Sequence, residues 1–450
     1  MSTSPFQPHQ LWRLDPRDPA VLGDGRGSLA YVTGAVWPFP FPGTVAGMVR
    51  AHVLEGAGRV IDDKAARAIL KEVAIRGPWL VDPNDDLWFP TPADLRIDSI
   101  SKKPIPPKIL DIDDPELKGA YGSRAPGAPE LPGLCQLPER DKDGNKHDSP
   151  RDAFWSLPQQ LCWALGDPSD SAKCEENILS TETRIHVVLD DKTGTAEPNQ
   201  LYATAGFRLC EGWRLAVEVR STHERRLEGT RWAQLGGRGR RAFLEIQEPP
   251  GPGTFPTWDS VCNRYESSAE GKRGLRLQLL SPAYLPERAL HHHGDPAWCP
   301  SWLRPRPGVH DGVHAGIPPQ LRGWAQEYGL HLRLHAVCIP GHAVVSGWNQ
   351  RGRSASKGPS VRRGDPTGAP REIRRLVPTG SVYYLTLHDR AGRELGEPDR
   401  KKHLLEVCNA LWGAFLDPEG PAETTDLDLH NFRAPPTADG YGMLLPGYWS

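Results

Sequence analysis

Proline and glycine punctuate this chain from one end to the other, 46 of each. Proline inside a helix removes a backbone bond and clashes with the preceding turn, and glycine weakens helix and strand interiors alike. Spread this evenly, the two residues predict many turns between short strands rather than one disordered tail. A length of 450 residues is enough for two or three domains and a sizeable core.

The segments between the turns carry strand signals. "HQLWRL" (9–14) reads as a first strand with apolar residues on both faces. "GPWLVDPNDDLWFPTPADL" reads as a hairpin running into a proline-bounded loop. "TRIHVVLD" (183–190) and "TAEPNQLYATAGFRL" (195–209) bracket a turn at "DDKTG", and "GWRLAVEVR" (212–220) alternates as a strand should. "LGGRGRRAFLEIQ" (235–247), "RLQLLSPAYL" (276–285), "HLRLHAVCIPG" (331–341) and "SVYYLTL" (381–387) complete the strand set.

Helices are fewer. Thr44 is placed to cap a helix from Val45 to Glu55, with Gly56 and Gly58 as its stop. Residues 62–76 place Ala65, Ile69, Val73 and Ile75 near one helical face. Segments 153–165 and 400–415 also read as helical. Residues 100–150 and 287–320 lack periodicity and read as long loops or insertions. Strands with interspersed helices give an α+β class.

Charge excludes a uniformly basic nucleic-acid binder, since 54 Lys and Arg face 56 Asp and Glu for a net charge of −2. A local basic patch remains open, because binding follows charge distribution. Eight cysteines without a CxxC pair argue against a disulfide scaffold and a Cys-rich zinc site, and fit a reducing cytoplasm. The first residues, "MSTSPFQPHQLWRLDP", do not read as a signal peptide, and no run of 18 apolar residues predicts a membrane helix.

Catalytic motifs are missing from the sequence: there is no GxxxxGK[ST], GxSxG or HExxH. "HHHGDPAWC" offers His291, His292, His293 and Cys299, but neighbours in a strand alternate sides, so a solvated loop is the default reading. His403 on a helix reads as a surface histidine. The expectation is therefore no catalytic residue, no metal and no cofactor.

Three glycine–arginine features stand out: "GGRGRR" (236–241), "SGWNQRGRSASKG" (346–358) and "IRRLVPTGS" (373–381). Glycine lets a phosphate approach the backbone, and arginine neutralises it. Trp232, Trp348, Tyr383 and Tyr384 lie close by in sequence and could stack on unpaired bases. Residues 351–375 are dense in arginine, with only Asp365 and Glu372 opposing. The turn after Pro378 offers Gly380 as a backbone contact. An ordinary solvated turn explains any one of these features, and three in one chain put RNA or DNA contact on a par with that reading.

"WPFPFPGTVAGMVRAHV", "GPWLV…LWFPTPADL", "LYATAGFRL…GWRLAVEVR", "LGGRGRRAFLE", "LLSPAYL", "SGWN" and "RRLVPTGSVYYL" follow one another in the order of a known family. The set resembles subunit three of the type III-B CRISPR effector, the Cmr complex, a RAMP protein of the group that binds the 5′ tag of crRNA. The helix-start segment departs from the family's Pro-Ser-Thr-type loop, keeping only the Thr44 hydroxyl.

The resemblance implies two ferredoxin-like (RRM-like) domains with glycine-rich loops, placed at 1–220 with an insertion at about 100–150, and at 221–450 with a basic insertion at about 351–375. It implies a non-catalytic subunit that grips the crRNA 5′ tag and touches the guide–target RNA duplex. The protein partners would be the large cyclase-containing subunit and the backbone RAMP subunit. A hairpin thumb would wedge into the duplex, with 100–150 and 351–375 as its candidates. The RNA-contact candidates are Thr44, Arg50, Arg238, Arg240, Arg241, Trp348, Arg353, Arg374, Arg375 and Gly380.

Two rival readings remain. A RAMP endoribonuclease that processes the guide precursor would need a base near the first helix, where His52 lies inside an apolar run. A protein scaffold would touch no RNA.

Overall fold

The computed structural model describes residues 8–22, 39–56, 63–109, 133–137, 147–148, 150, 153–167, 174–190, 192–221, 231–237, 239–284, 319–345, 348–349, 369–370, 374–416 and 436–450. The strands among them are β1 (Gln10–Pro16), β2 (Ala74–Val81), β3 (Leu87–Pro90), β4 (Arg96–Ile97), β5 (Pro104–Ile105), β6 (Lys108–Ile109), β7 (Gly133–Gln136), β8 (Phe154–Ser156), β9 (Leu179–Leu189), β10 (Ala196–Leu209), β11 (Arg214–Arg220), β12 (Arg231–Gln234), β13 (Arg241–Gln247), β14 (Gly274–Leu279), β15 (His331–Cys338), β16 (Ala343–Val345), β17 (Trp348–Asn349), β18 (Ala369–Pro370), β19 (Arg374–Leu376), β20 (Val382–His388) and β21 (Leu444–Trp449). The α-helices are α1 (Pro42–Gly56), α2 (Asp63–Glu72), α3 (Leu157–Ala164), α4 (Cys262–Ser268), α5 (Pro319–Glu327) and α6 (Asp399–Leu411). The class is mixed α/β with antiparallel sheets.

The first sheet has the order β12-β13-β1-β11-β2-β3-β8, antiparallel throughout. Its centre suits the sequence, since β2 is buried along its whole length. Val73 and Ile75, read as helical, lie at and beyond the point where α2 gives way to β2. β-branched residues fit a strand covered on both faces better than the end of a helix. Pro78 is tolerated in this central strand because the register shifts opposite it, between Ala216 and Glu218. Gly77 supplies the positive φ, 118°, that the irregularity requires.

Helix α1 packs Val45, Ala46, Val49 and Val53 onto one face of this sheet, against Trp12, Leu14, Ile75, Val217 and Leu244. It starts at Pro42, three residues before the expected Val45. Proline is pre-organised for the first helical turn, where its missing N–H costs nothing. Thr44 therefore lies inside the first turn, and its N–H donates to the Phe41 carbonyl at 2.9 Å.

The second sheet has the order β21-β14-β20-β15-β7-β6. Its first four members are antiparallel and arise from the chain order β14-α5-β15-β20-α6-β21. Strands β7, parallel to β15, and β6, antiparallel to β7, come from residues 100–150. That stretch, expected as a loop, thus extends a sheet built mostly by the distant end of the chain. Residues 231–247, on the far side of the expected boundary at 220, pair in the first sheet.

One apolar cluster spans both halves, holding Leu11, Trp79 and Phe89 with Tyr265, Leu275, Leu385, Leu404 and Val407. The buried loop at 91–95 fastens them together. Asp94, wholly buried, accepts two bonds from Arg276 at 2.9 Å, one from the Trp163 indole at 2.9 Å and one from the Tyr384 hydroxyl. Gln278 donates to Gln160 at 2.8 Å, and Gln160 donates to the Pro90 carbonyl at 3.0 Å. Strands β9 and β10 form a separate two-stranded ribbon. It leaves Ile185, Val187, Leu189 and Leu201 between 40% and 75% exposed.

Candidate nucleic-acid interface

Distant segments of sequence converge at the start of α1. Phe41, directly before the helix, packs with Ala343 of β16, Leu376 of β19 and Tyr441, with Tyr284 and Val345 against them. Strands β16 and β19 pair antiparallel, so Val345 faces Arg374 and Val344 faces Arg375. The Arg375 side chain is exposed. Side chains alternate along β19, so Arg375 lies on the face opposite Leu376, whereas the start of α1, whose dipole favours anions, packs on the Leu376 face.

Tyr441 belongs to a turn that the sequence reading overlooked. Gly440 and Gly442 both have positive φ, 87° and 80°. A Cβ at Gly440 would sit 2.6 Å from the Gly77 carbonyl oxygen, and one at Gly442 would sit 2.8 Å from that of Leu416. The Ser281 hydroxyl donates to the Gly440 carbonyl at 2.7 Å and accepts from the Met443 N–H at 2.9 Å. The available signal was a Gly-Tyr-Gly tripeptide just ahead of the last strand.

Arg50 is committed inside the chain. Its guanidinium pairs with Asp439 and donates to the Val73 carbonyl at 3.1 Å. It enters the site as a clamp on the 436–439 turn instead of as a phosphate ligand. Gly380 is likewise committed: its N–H donates to the Leu279 carbonyl at 2.8 Å, and its own carbonyl accepts from Ala93 at 2.8 Å. With φ at 84° and a Cβ position 2.6 Å from the Thr91 carbonyl oxygen, its glycine is demanded by close packing. Both backbone groups are thus used within the protein.

The GGRGRR turn lies elsewhere, joining β12 to β13 at one edge of the first sheet. Arg240 is 3.8 Å from Asp18, and Arg241 is exposed. Arg238 and Arg353 fall outside the described residues, as do the side chains of Trp348 and Arg374. Tyr383 and Tyr384, considered for stacking, are 1% and 2% exposed and belong to the core.

His52 is 5% exposed, and its ring meets Trp12 edge-on at 5.6 Å between centroids. Burial lowers its pKa, partly offset by Glu55 at 3.8 Å. This neutral, packed imidazole is not placed at a surface where RNA could reach it. Among the described residues no group of three His, Cys, Asp or Glu side chains could hold a metal ion. His291, His292, His293 and Cys299 lie outside them. No helix among them is long and apolar enough to cross a membrane.

Comparison with solved structures finds a "Type III-B Cmr-beta bound to cognate target RNA", 14% identical over 83% of this chain and 86% of the other, with a TM-score of 0.37. The same assembly bound to cognate target RNA and AMPPnP, state 1, matches with the same identity and coverage and a TM-score of 0.38. A chain of a "Csm3-Csm4 subcomplex in the type III-A CRISPR-Cas interference complex" is 11% identical over 83% of this chain and 92% of that one, with a TM-score of 0.32. No curated protein matches the sequence. The family model of CRISPR-associated protein (Cas_Cmr3) matches residues 12–449, nearly the whole chain. The chain therefore belongs to that family, subunit three of the type III-B Cmr effector, which its ordered motifs resemble.

Proposed function

We propose that this chain holds the 5′ tag of crRNA in a type III-B effector without cleaving it, next to the large cyclase-containing subunit and the first backbone RAMP subunit. The observation that carries the reading is the convergence at Phe41, Leu376 and Tyr441. Packed on the buried glycine turn, it brings the start of α1 and the strand that carries Arg374 and Arg375 into one region, where a helix N-terminus and two arginines are available to phosphate. The family membership supplies the RNA.

Both halves are read as ferredoxin-like. Strands β14, β15, β20 and β21 with α5 and α6 follow the βαββαβ order and the spatial order 4-1-3-2. Strands β1, β2, β11 and β13 follow the same spatial order. This supports a division after Gln247 rather than at 220, with β6 and β7 of the 100–150 insertion added to the second sheet. The β9–β10 ribbon is the better candidate for the duplex-wedging thumb, since exposed aliphatic side chains can separate base steps. It lies in neither 100–150 nor 351–375.

The test is a Cmr complex reconstituted with Arg374→Ala and Arg375→Ala together. Footprinting of the crRNA should show the 5′ tag losing protection while the complex still assembles. Full protection of the tag in an assembled complex would refute this site.

A further inference from the structure

We propose that the β12–β13 edge hairpin is a second RNA contact, where an unpaired base stacks on Trp232 and the adjoining phosphate rests on Arg241 and the backbone at Gly239. It rests on the reading of this chain as an RNA-binding subunit and assigns a surface away from the tag site.

Trp232 is 49% exposed, although its ring is held in place. It lies directly across from Phe243, and the two rings meet edge-to-face at 5.4 Å and 68°. A large apolar ring fixed by a neighbour yet left half in water is a pre-organised stacking surface. Side chains alternate along a strand, so Gln234 and Arg241, the pair two positions on, share the face of Trp232 and Phe243. Diagonal neighbours at that spacing are about 7–8 Å apart, with their Cβ atoms somewhat closer, within reach of a nucleotide and a long guanidinium.

The turn beyond is held in a defined shape. Leu235 donates to the Arg240 carbonyl at 3.0 Å, and Gly237 donates to the Val21 carbonyl at 2.9 Å. Gly236, with φ at 80°, has only 2.5 Å between its Cβ position and the Val21 oxygen, so packing accounts for that glycine. Gly239 is a glycine because of its φ of 65°, and its Cβ position meets nothing within 4 Å, so its backbone stands open. Open glycine backbone beside arginine is the geometry that lets a phosphate come close.

The charges favour an anion. Arg17 is exposed, and its N–H donates to the Arg241 carbonyl at 3.2 Å. Arg240 lies near Asp18, and Glu245 on the Trp232 face is engaged by Arg214 at 3.1 Å and Gln247 at 2.6 Å. Asp15, exposed and across from Phe243, is the opposing carboxylate. Arg17, Arg240 and Arg241 outnumber Asp15 and Asp18. An exposed aromatic ring with Arg241 on its own face and Arg17 alongside fits a nucleotide better than an apolar protein surface.

The experiment uses the reconstituted complex with crRNA carrying 5-iodouridine at successive positions. Irradiation should join one position to a peptide containing Trp232. Trp232→Ala should weaken crRNA retention roughly tenfold, Trp232→Tyr should retain it, and Trp232→Leu should not. Arg241→Ala should flatten the log–log salt dependence by about 0.7. Wild-type retention with Trp232→Leu, or no crosslink at Trp232 while crRNA is held, would overturn the proposal. Tag protection, read in the same samples, separates the two sites. Loss of retention at Trp232 with the tag insensitive to Arg375 would leave this platform standing and remove the other.

Discussion

Gly380 illustrates how an apparent ligand site can be a packing requirement. Its φ of 84° and the Thr91 oxygen 2.6 Å from its Cβ position leave no room for any other residue. Gly380→Ala should cost about 1–3 kcal/mol, read by urea unfolding, and unchanged stability would mean the turn can relax. His52 and His388 test a different physics. Burial lowers both pKa values below the ordinary 6.5, so the folded chain binds fewer protons than the unfolded one. Their contribution is complete above the unfolded pKa and is lost as pH falls through the folded one. The carboxylates held low by hydrogen bonds, such as Asp190 and Glu182, act only nearer their ordinary values of 3.8 and 4.5. As pH falls below about 6.5 the histidines thus lower the melting temperature, against the opposite effect of Glu218, whose pKa burial raises, and His52→Met should flatten part of the fall. An unchanged slope would mean that His52 stays solvated.

The Asp94 network sets the cost of separating the elements it joins. Burial opposes the charge on Arg276, and Asp94 and Tyr384 more than offset this, holding its pKa above the ordinary value. Asp94→Ala would strand that guanidinium between α3, β14 and β20, at a cost of about 3–5 kcal/mol in chemical denaturation. A loss below 1 kcal/mol would show that water replaces the carboxylate. Strands such as β1, β11 and β20 were legible because their apolar residues meet a core. The ribbon was legible as two strands but not as a projection. Ile185, Val187 and Leu189 alternate as a core strand does, yet they face solvent. Strands β6 and β7 escaped notice because two to four residues carry no period, and β15 lies far along the chain. The Gly-Tyr-Gly turn was missed because its meaning depends on Gly77 and Leu416, its contacts in space.

Across the whole molecule, the shared cluster and the β7–β15 pairing join the halves, so they should unfold as one unit. Calorimetry should give one transition, and two resolved transitions would contradict this. Fragments 1–220 and 221–450 should fail to fold separately, because that cut takes β12 and β13 from the first sheet and β6 and β7 from the second. The same interleaving has a consequence on the ribosome. Gln136 emerges well before His331, the first residue of the strand that receives β7. At 5–20 residues per second that interval lasts roughly 10–40 s. Until it ends, β6 and β7 stand without their sheet on a nascent chain that, once Leu209 has emerged, also carries the aliphatic ribbon. Synthesis speed between those two points therefore governs how long the unfinished protein is open to mispairing.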